Sequence, residues 1–218
     1  MDGDGQWQKL GEGAFGCVYK AIDQYDRKLA IKEINDVSDL REIRNHSKFE
    51  HPNIIQYRGW RRNGERIQII MDRVDGGTLK SLVHTRGKLE EKQVVFYSKQ
   101  ILKGLEYLHG IHNIAHLDIK PDNILVHSWT QQVKISDFGI SRRLRGIRVL
   151  HDVPVQGTEG YMAPEVYLGG KHSDWEPDRV IGKPADIWSF GCTVVWMATG
   201  EKPYTTLENS HRLLIKVK

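Results

Sequence analysis

The sequence predicts an α+β chain in which a β-rich first segment, residues 1–74, precedes a longer helical one, residues 75–218. Three observations carry that expectation. Between residues 6 and 35, apolar and polar residues alternate in short runs broken by glycines, the period-two signature of half-buried strands. Beyond a connector, VDGGT at 74–78, apolar residues recur at three- and four-residue spacing, as in Val94, Ile101, Leu105 and Leu108. An apolar run from Ile187 to Ala198, interrupted by Ser189, Gly191 and Thr193, suits a buried helix.

The elements follow in order. WQKLGEGAFGCVYKAI reads as two strands joined by a glycine turn, and KLAIKEI as a third. Ser38 suits the N-cap of a helix running to about Phe49, with Leu40 and Ile43 facing inward. His51-Pro52-Asn53 ends it, since the residue before a proline is biased out of the helical region. NIIQYRGW and RIQIIM are two further strands around Asn63-Gly64. Helices are then expected from Thr78 to about Arg86, from Glu90 to Gly110, from Ala163-Pro164-Glu165, and from Ala185 to Thr199. Gly200 and Pro203 stop the last of these. Another helix is expected from Leu207, and loops and short strands fill residues 111–160.

Composition bounds the function. The 218 residues suffice for one large domain or two small lobes. With 39% hydrophobic and 28% charged residues the chain reads as globular. A net charge of +4 is too small to argue for nucleic acid without a clustered patch. Cys17 and Cys192 have no pair spacing, which argues against a disulfide framework or a zinc site and for a reducing compartment. The start, MDGDGQWQKL, is polar and acidic, unlike a signal peptide. The longest apolar run falls short of the about 20 residues a bilayer requires. The expected home is the cytoplasm, with no nucleic acid and no membrane insertion.

Several motifs carry chemistry. Gly11, Glu12, Gly13, Ala14, Phe15 and Gly16 fit G-x-G-x-x-G. A plain hairpin is one reading. The other is a flap over phosphates, because these glycines join strand to strand rather than strand to helix and leave the backbone N–H groups open to approach. Lys32 in LAIK lies under such a flap, or is a surface lysine on an edge strand. Glu42 either pairs with Lys32, aiming its ammonium at two phosphates, or is a solvated helix acid. In HLDIKPDN, Asp118 is the candidate base for a hydroxyl, and Lys120 could neutralise a transferring phosphoryl group. Asn123 and Asp137 offer hard oxygens suited to Mg²⁺. Val18, Ala30, Met71 and Leu125 read as pocket walls, and His116 and Phe138 as core residues stacked behind the site. Each motif has a bland reading alone. Their single occurrence in the order GEGAFGCV, LAIK, Glu42, HLDIKPDN, DFG, GTEGYMAPE does not.

On these motifs the chain resembles a eukaryotic protein kinase from Gln6 to its last residue. The resemblance implies a bilobal fold, a small N-lobe over residues 1–74 and a larger helical C-lobe over 75–218, with Mg²⁺ and ATP bound between them. Asp118-Ile119-Lys120 is similar to the serine/threonine branch, in which Thr158 of GTEGY contacts both the base and the lysine. Met71 would be the gatekeeper, and Asp72 to Val74 the hinge whose backbone binds adenine. AIKEI, FYSKQILKGLEYLH, KISDFGISRRLRGI and ADIWSFGCTVVWMATGEKP resemble the apoptosis signal-regulating kinases, a branch of the MAP kinase kinase kinases. That implies transfer of the ATP γ-phosphate to Ser/Thr of a protein substrate, a MAP kinase kinase, in stress-type signalling. The competing reading is a catalytically inactive nucleotide-binding scaffold.

The chain departs from the family in three places. Leu117 stands where an arginine binds the phosphate of an activated loop, and HDVPVQ, just before Thr158, carries no hydroxyl. The pair of absences implies that a phosphate switch on this loop has been dropped. The stretch from Lys32 to Glu42 is short. The family's final C-lobe helices, with the arginine that pairs with Glu165, are not found, so the C-lobe is expected to be truncated. Residues 169–183 read as a long polar loop. Arg142, Arg143, Arg145 and Arg148 form either a solvated basic loop or a dock for phosphate or an acidic partner.

Overall fold

The computed structural model describes residues 7–13, 16–34, 43, 46–144, 157–168 and 182–203. Strands β1 (Lys9–Gly13), β2 (Gly16–Ile22), β3 (Lys28–Ile34), β4 (Tyr57–Asn63) and β5 (Arg66–Asp72) form one antiparallel sheet in the order β1-β2-β3-β5-β4. Its register pairs Val18 with Lys32 and Ala30 with Met71. Directly paired residues share a face, so Val18, Ala30, Lys32 and Met71 all project from one side. Gly16 sits at φ +126°, and a Cβ there would lie 1.8 Å from the Glu33 carbonyl oxygen. Only glycine lets the turn close this tightly onto β3.

Two elements of the first segment differ from expectation. The β4 strand begins at Tyr57 rather than at Asn53. Asn53 to Ile55 are drawn inward instead: the Asn53 carbonyl accepts from Ile135 N–H at 2.9 Å, and Ile55 N–H donates to the Ile135 carbonyl at 2.9 Å. The first helix also ends early. Ile43 and His46 are helical, but Ser47 and Lys48 form a turn and Phe49 lies outside it, 2% exposed. Ser38, Leu40 and Glu42 fall outside the described residues.

Residues 73–78 carry the chain from the sheet to the helices. Thr78 caps α1 (Leu79–Arg86), its hydroxyl accepting from Ser81 N–H at 3.1 Å. Then comes α2 (Glu91–Glu106), which does not run on to Gly110 as an α-helix but widens into a π-turn over Tyr107–Ile111. There the Tyr107 ring stacks on His51 with centroids 4.8 Å apart. Short strands follow: β6 (Ile114–Ala115), β7 (Ile124–Val126), β8 (Val133–Ile135) and β9 (Arg142–Arg143), paired β6 with β9 and β7 with β8. The chain ends its described course with α3 (Pro164–Leu168) and α4 (Lys183–Thr199). Pro184 stands in the first turn of α4, and Gly200 closes it at φ +76° as expected.

One buried apolar cluster runs from Ala30 and Ile34 in the sheet to Trp196 and Met197 in α4. Gly104 lets α2 lie against β8: a Cβ there would be 2.8 Å from Ile135 Cδ1. The α4 helix is not buried all round. Ala185, Ser189, Cys192 and Trp196 face inward, whereas Ile187 and Val195 are 49% and 48% exposed. The helix expected from Leu207, and residues 169–181 of the expected polar loop, lie outside the described residues. Among the described residues no helix is long and apolar enough to cross a membrane.

Candidate active site

The site is hung from α4. Asp186, fully buried, accepts the backbone N–H of His116 at 2.8 Å and of Leu117 at 2.7 Å, and faces His109 Nε2 at 2.7 Å. This clamp holds Leu117 at φ +68°, a left-handed conformation that costs a branched side chain about 1–3 kcal/mol. The side chain offsets that cost by burial. Leu117 is 8% exposed and packs with Ala115, Ile140, Ala163, Val166 and Ala185, with Leu144, Met162 and Trp188 alongside.

His116 joins the two loops that carry the polar residues. Its Nδ1 accepts from Asp118 N–H at 3.2 Å and its Nε2 lies 3.0 Å from the Ser136 carbonyl oxygen. The ring is therefore the Nε2–H tautomer, since a carbonyl can only accept. His116 and Phe138 are both 0% exposed, core residues as the sequence predicted, but their rings meet edge to face at 62° with centroids 5.0 Å apart rather than stacked.

Asp118 is 5% exposed and heavily hydrogen-bonded. Its Oδ2 accepts from Lys120 Nζ at 2.7 Å and Asn123 Nδ2 at 2.9 Å; its Oδ1 accepts from the Thr158 hydroxyl at 2.8 Å. Lys120 Nζ also reaches Thr158 Oγ1 at 2.6 Å. One carboxylate oxygen thus takes two donors and the other takes one, leaving Oδ1 capacity for a further hydroxyl. Asn123 gives its second amide hydrogen to the Asp118 carbonyl at 2.8 Å. Its Oδ1 is left as an acceptor.

A cleft of about 470 Å³ opens beside this cluster. Lys32 and Asp137 meet in it at 2.8 Å, with side chains 7% and 28% exposed. Burial alone would raise the Asp137 pKa, but the adjacent Lys32 ammonium outweighs it, and with lesser help from His116 and the Gly139 N–H the carboxyl sits below its ordinary range. Asp137 is ionised at neutral pH. With Asn123 Oδ1 it supplies two hard oxygens on one wall, the donor set that magnesium takes when substrate phosphates complete its shell. Among the described residues no group of three or more His, Cys, Asp and Glu stands together.

Most of the residues singled out in the sequence lie around this cleft. Gly11, Glu12, Gly16, Val18, Ala30, Lys32, Met71, Asp72, Val74, Lys120, Asn123, Leu125 and Asp137 line it. Asp118 and Thr158 stand against Lys120 behind its rim. Gly13 is described in its backbone alone, and Ala14, Phe15 and Glu42 lie outside the described residues, so a pairing of Lys32 with Glu42 is not described. Arg142 and Arg143 form β9 against β6, and Arg142 Nη1 donates to the Ile140 carbonyl at 3.0 Å. Arg145 and Arg148 fall outside.

Sequence reasoning missed Leu10, His46, Gly77, Thr78, Asp122 and Ser136 on the cleft wall, and Asp186 beneath it. Asp186 left a signal: an acid at the head of an otherwise apolar helix must find donors once buried. His46 left none in the pattern of its neighbours.

Residues 6–217 match the family model described as "Protein kinase domain". The chain is 41% identical to mitogen-activated protein kinase kinase kinase 15 of Mus musculus, covering 99% of this chain and 16% of that relative. It is 42% identical to mitogen-activated protein kinase kinase kinase 6 of Homo sapiens, covering 95% of this chain and 16% of that one. It is 41% identical to nsy-1 of Caenorhabditis elegans, a kinase of the same designation, over 95% of this chain and 14% of the relative. The chain thus spans only a small part of the length of these relatives. It belongs to the protein kinase family and resembles the mitogen-activated protein kinase kinase kinases.

Proposed function

We propose that this chain transfers the γ-phosphoryl group of ATP to a serine or threonine hydroxyl of a protein substrate, with residues 1–74 and 75–218 as the two lobes around the nucleotide. The observation that carries the reading is the Asp118 carboxylate, braced by Lys120, Asn123 and Thr158 and open at Oδ1, next to a cleft holding an ionised Lys32–Asp137 pair. Asp118 Oδ1 accepts the hydrogen bond of the incoming hydroxyl and turns its oxygen toward phosphorus. The new O–P bond forms as the bond from phosphorus to the β–γ bridging oxygen breaks, and the hydroxyl proton passes to Asp118. Lys120 is placed to balance charge on the moving group, and Lys32 to hold phosphates of the nucleotide. Asn123 and Asp137 would hold magnesium, which would supply charge neutralisation at the phosphates. The Met71 side chain, and the backbone of Asp72 to Val74, bound the adenine end.

The relatives' names support a MAP kinase kinase as the substrate, and the free thiols Cys17 and Cys192 support a reducing compartment, the cytoplasm, as the place of action. The test is transfer of labelled γ-phosphate to a catalytically dead MAP kinase kinase, with Asp118→Asn as control. Transfer that vanishes in the control supports the proposal. A folded, ATP-binding protein that transfers nothing would make it a nucleotide-binding scaffold instead.

A further inference from the structure

Between Asp137 and Glu165 the sequence holds three hydroxyl-bearing residues, Ser141, Thr158 and Tyr161. All three are turned inward. Ser141 is 1% exposed and its hydroxyl donates to the Phe138 carbonyl at 2.8 Å. Tyr161 is 6% exposed. Thr158 donates to Asp118 and accepts from Lys120. None of the three is an exposed residue, and Thr158 is presented to a modifying enzyme only by breaking the site. Yet the segment must be held, because Thr158 comes from it and completes the Asp118 cluster.

Leu117 is placed to hold it. Its side chain gathers both flanks of the segment: Ile140 and Leu144 on one side, Met162, Ala163 and Val166 on the other. Its carbonyl lies where a Cβ on Gly157 would come within 3.3 Å, so the backbone beside Thr158 runs directly over the catalytic loop. Leu144 in turn seats on Gly182 at the head of α4, where a Cβ would meet its Cδ1 at 3.2 Å. Apolar contact here is short-ranged and needs no partner charge.

We propose that Leu117 is a positioning residue: it clamps residues 140–144 and 157–166 onto the catalytic loop by apolar packing, so that Thr158 stays on Asp118 with no covalent modification of the segment. The proposal rests on Asp118 as the base. Leu117→Asn separates this role from a backbone one. Asparagine suits the left-handed conformation and keeps the N–H donated to Asp186, but removes the apolar contact. Leu117→Met keeps the contact.

The full chain is assayed with its substrate, and backbone hydrogen exchange over residues 157–166 is measured by mass spectrometry. Leu117→Asn is expected to lower kcat at least about tenfold while the KM for ATP stays within about twofold, and to speed exchange over 157–166. Leu117→Met restores kcat and slow exchange. Wild-type protein shown by mass to carry no phosphate keeps its full kcat. An asparagine variant with wild-type kcat and exchange overturns the proposal, and so does loss of activity on removing phosphate from wild type. Leu144→Ala loosens the clamp from the opposite side and decides the matter if Leu117→Asn does not fold: unchanged exchange over 157–166 rejects the clamp. If wild type transfers no phosphate at all, the proposed function fails, and the exchange measurement still judges Leu117 by itself.

Discussion

His46 is the side chain through which acid should weaken this fold in a way one substitution can isolate. The ring is 1% exposed, and its Nε2 lies 2.7 Å from the Ile55 carbonyl oxygen. The neutral ring donates there, while Nδ1 has no partner among the described residues with which to share a second proton. Burial pushes the pKa from 6.5 down to about 4 against the opposing Ile55 carbonyl; Lys32 and His116 add smaller pushes downward and Asp137 a smaller pull upward. Above pH 6.5 His46 is neutral folded or unfolded and contributes nothing to the pH dependence. Between 6.5 and about 4 the unfolded chain takes up a proton that the folded one refuses, so stability falls as pH falls. Below that both forms are protonated and the loss stops growing. A depression of this size, at about 1.4 kcal/mol per pH unit, is worth about 3 kcal/mol. The assay is urea unfolding at a series of pH values through the window, for wild type and for His46→Leu, which cannot titrate. Other titrating groups are common to both proteins, so the gap between the two curves should change by about 3 kcal/mol across it. Parallel curves would refute the reasoning.

Replacing Asp118 by asparagine should cut kcat by about 10²–10⁴-fold with little change in ATP affinity, read from phosphoryl transfer and nucleotide titration. Gly104→Ala drives a methyl to 2.8 Å from Ile135 Cδ1 and 3.1 Å from the Asn53 carbonyl oxygen, and should cost about 1–3 kcal/mol in urea unfolding. Asp186→Asn exchanges a charged acceptor of two backbone N–H groups for a neutral amide; a loss of about 2 kcal/mol, together with reduced kcat, is expected.

How much could be read beforehand depended on the range of the interactions. The five strands follow from period-two alternation and glycine turns, which are local, and so does the helix stop at Gly200. The start of β4 was misplaced because Asn53 to Ile55 look like strand residues but bond to Ile135, about eighty positions away, a pairing that no local pattern announces. The extent of the first helix failed for a similar reason: Phe49 carries a helical spacing but is buried beyond the helix end. In the site, Asp118, Lys120 and Asn123 were legible as a cluster because they share one short loop. That Thr158 would close it depended on family resemblance, since nothing local links residues 118 and 158. Asp186 is farther still, and escaped notice because its partners are backbone N–H groups, which every residue has.

That backbone clamp explains why a site of this kind confuses mutational interpretation. Two residues on the loops that carry the chemistry, Leu117 and Asp137, hold left-handed backbone at φ +68° and +66°, conformations that neither helix nor strand would impose. Buried polar tethers impose them: Asp186 on the N–H of Leu117, and His116 spanning from Asp118 N–H to the Ser136 carbonyl. Each tether is satisfied at both ends, so cutting one leaves a buried polar group unpaired as well as releasing the loop. Loss of Asp186 should therefore mimic loss of the base in kcat, although Asp186 lies beneath the cleft and does not line it. Stability separates the two. Asp118→Asn keeps an oxygen and the shape of the side chain in a cluster that remains largely hydrogen-bonded, and should unfold near wild type. Asp186→Asn should lose stability and rate together. If instead Asp186→Asn kept its stability while losing rate, the carboxylate would act on the reaction by charge rather than by holding the loop.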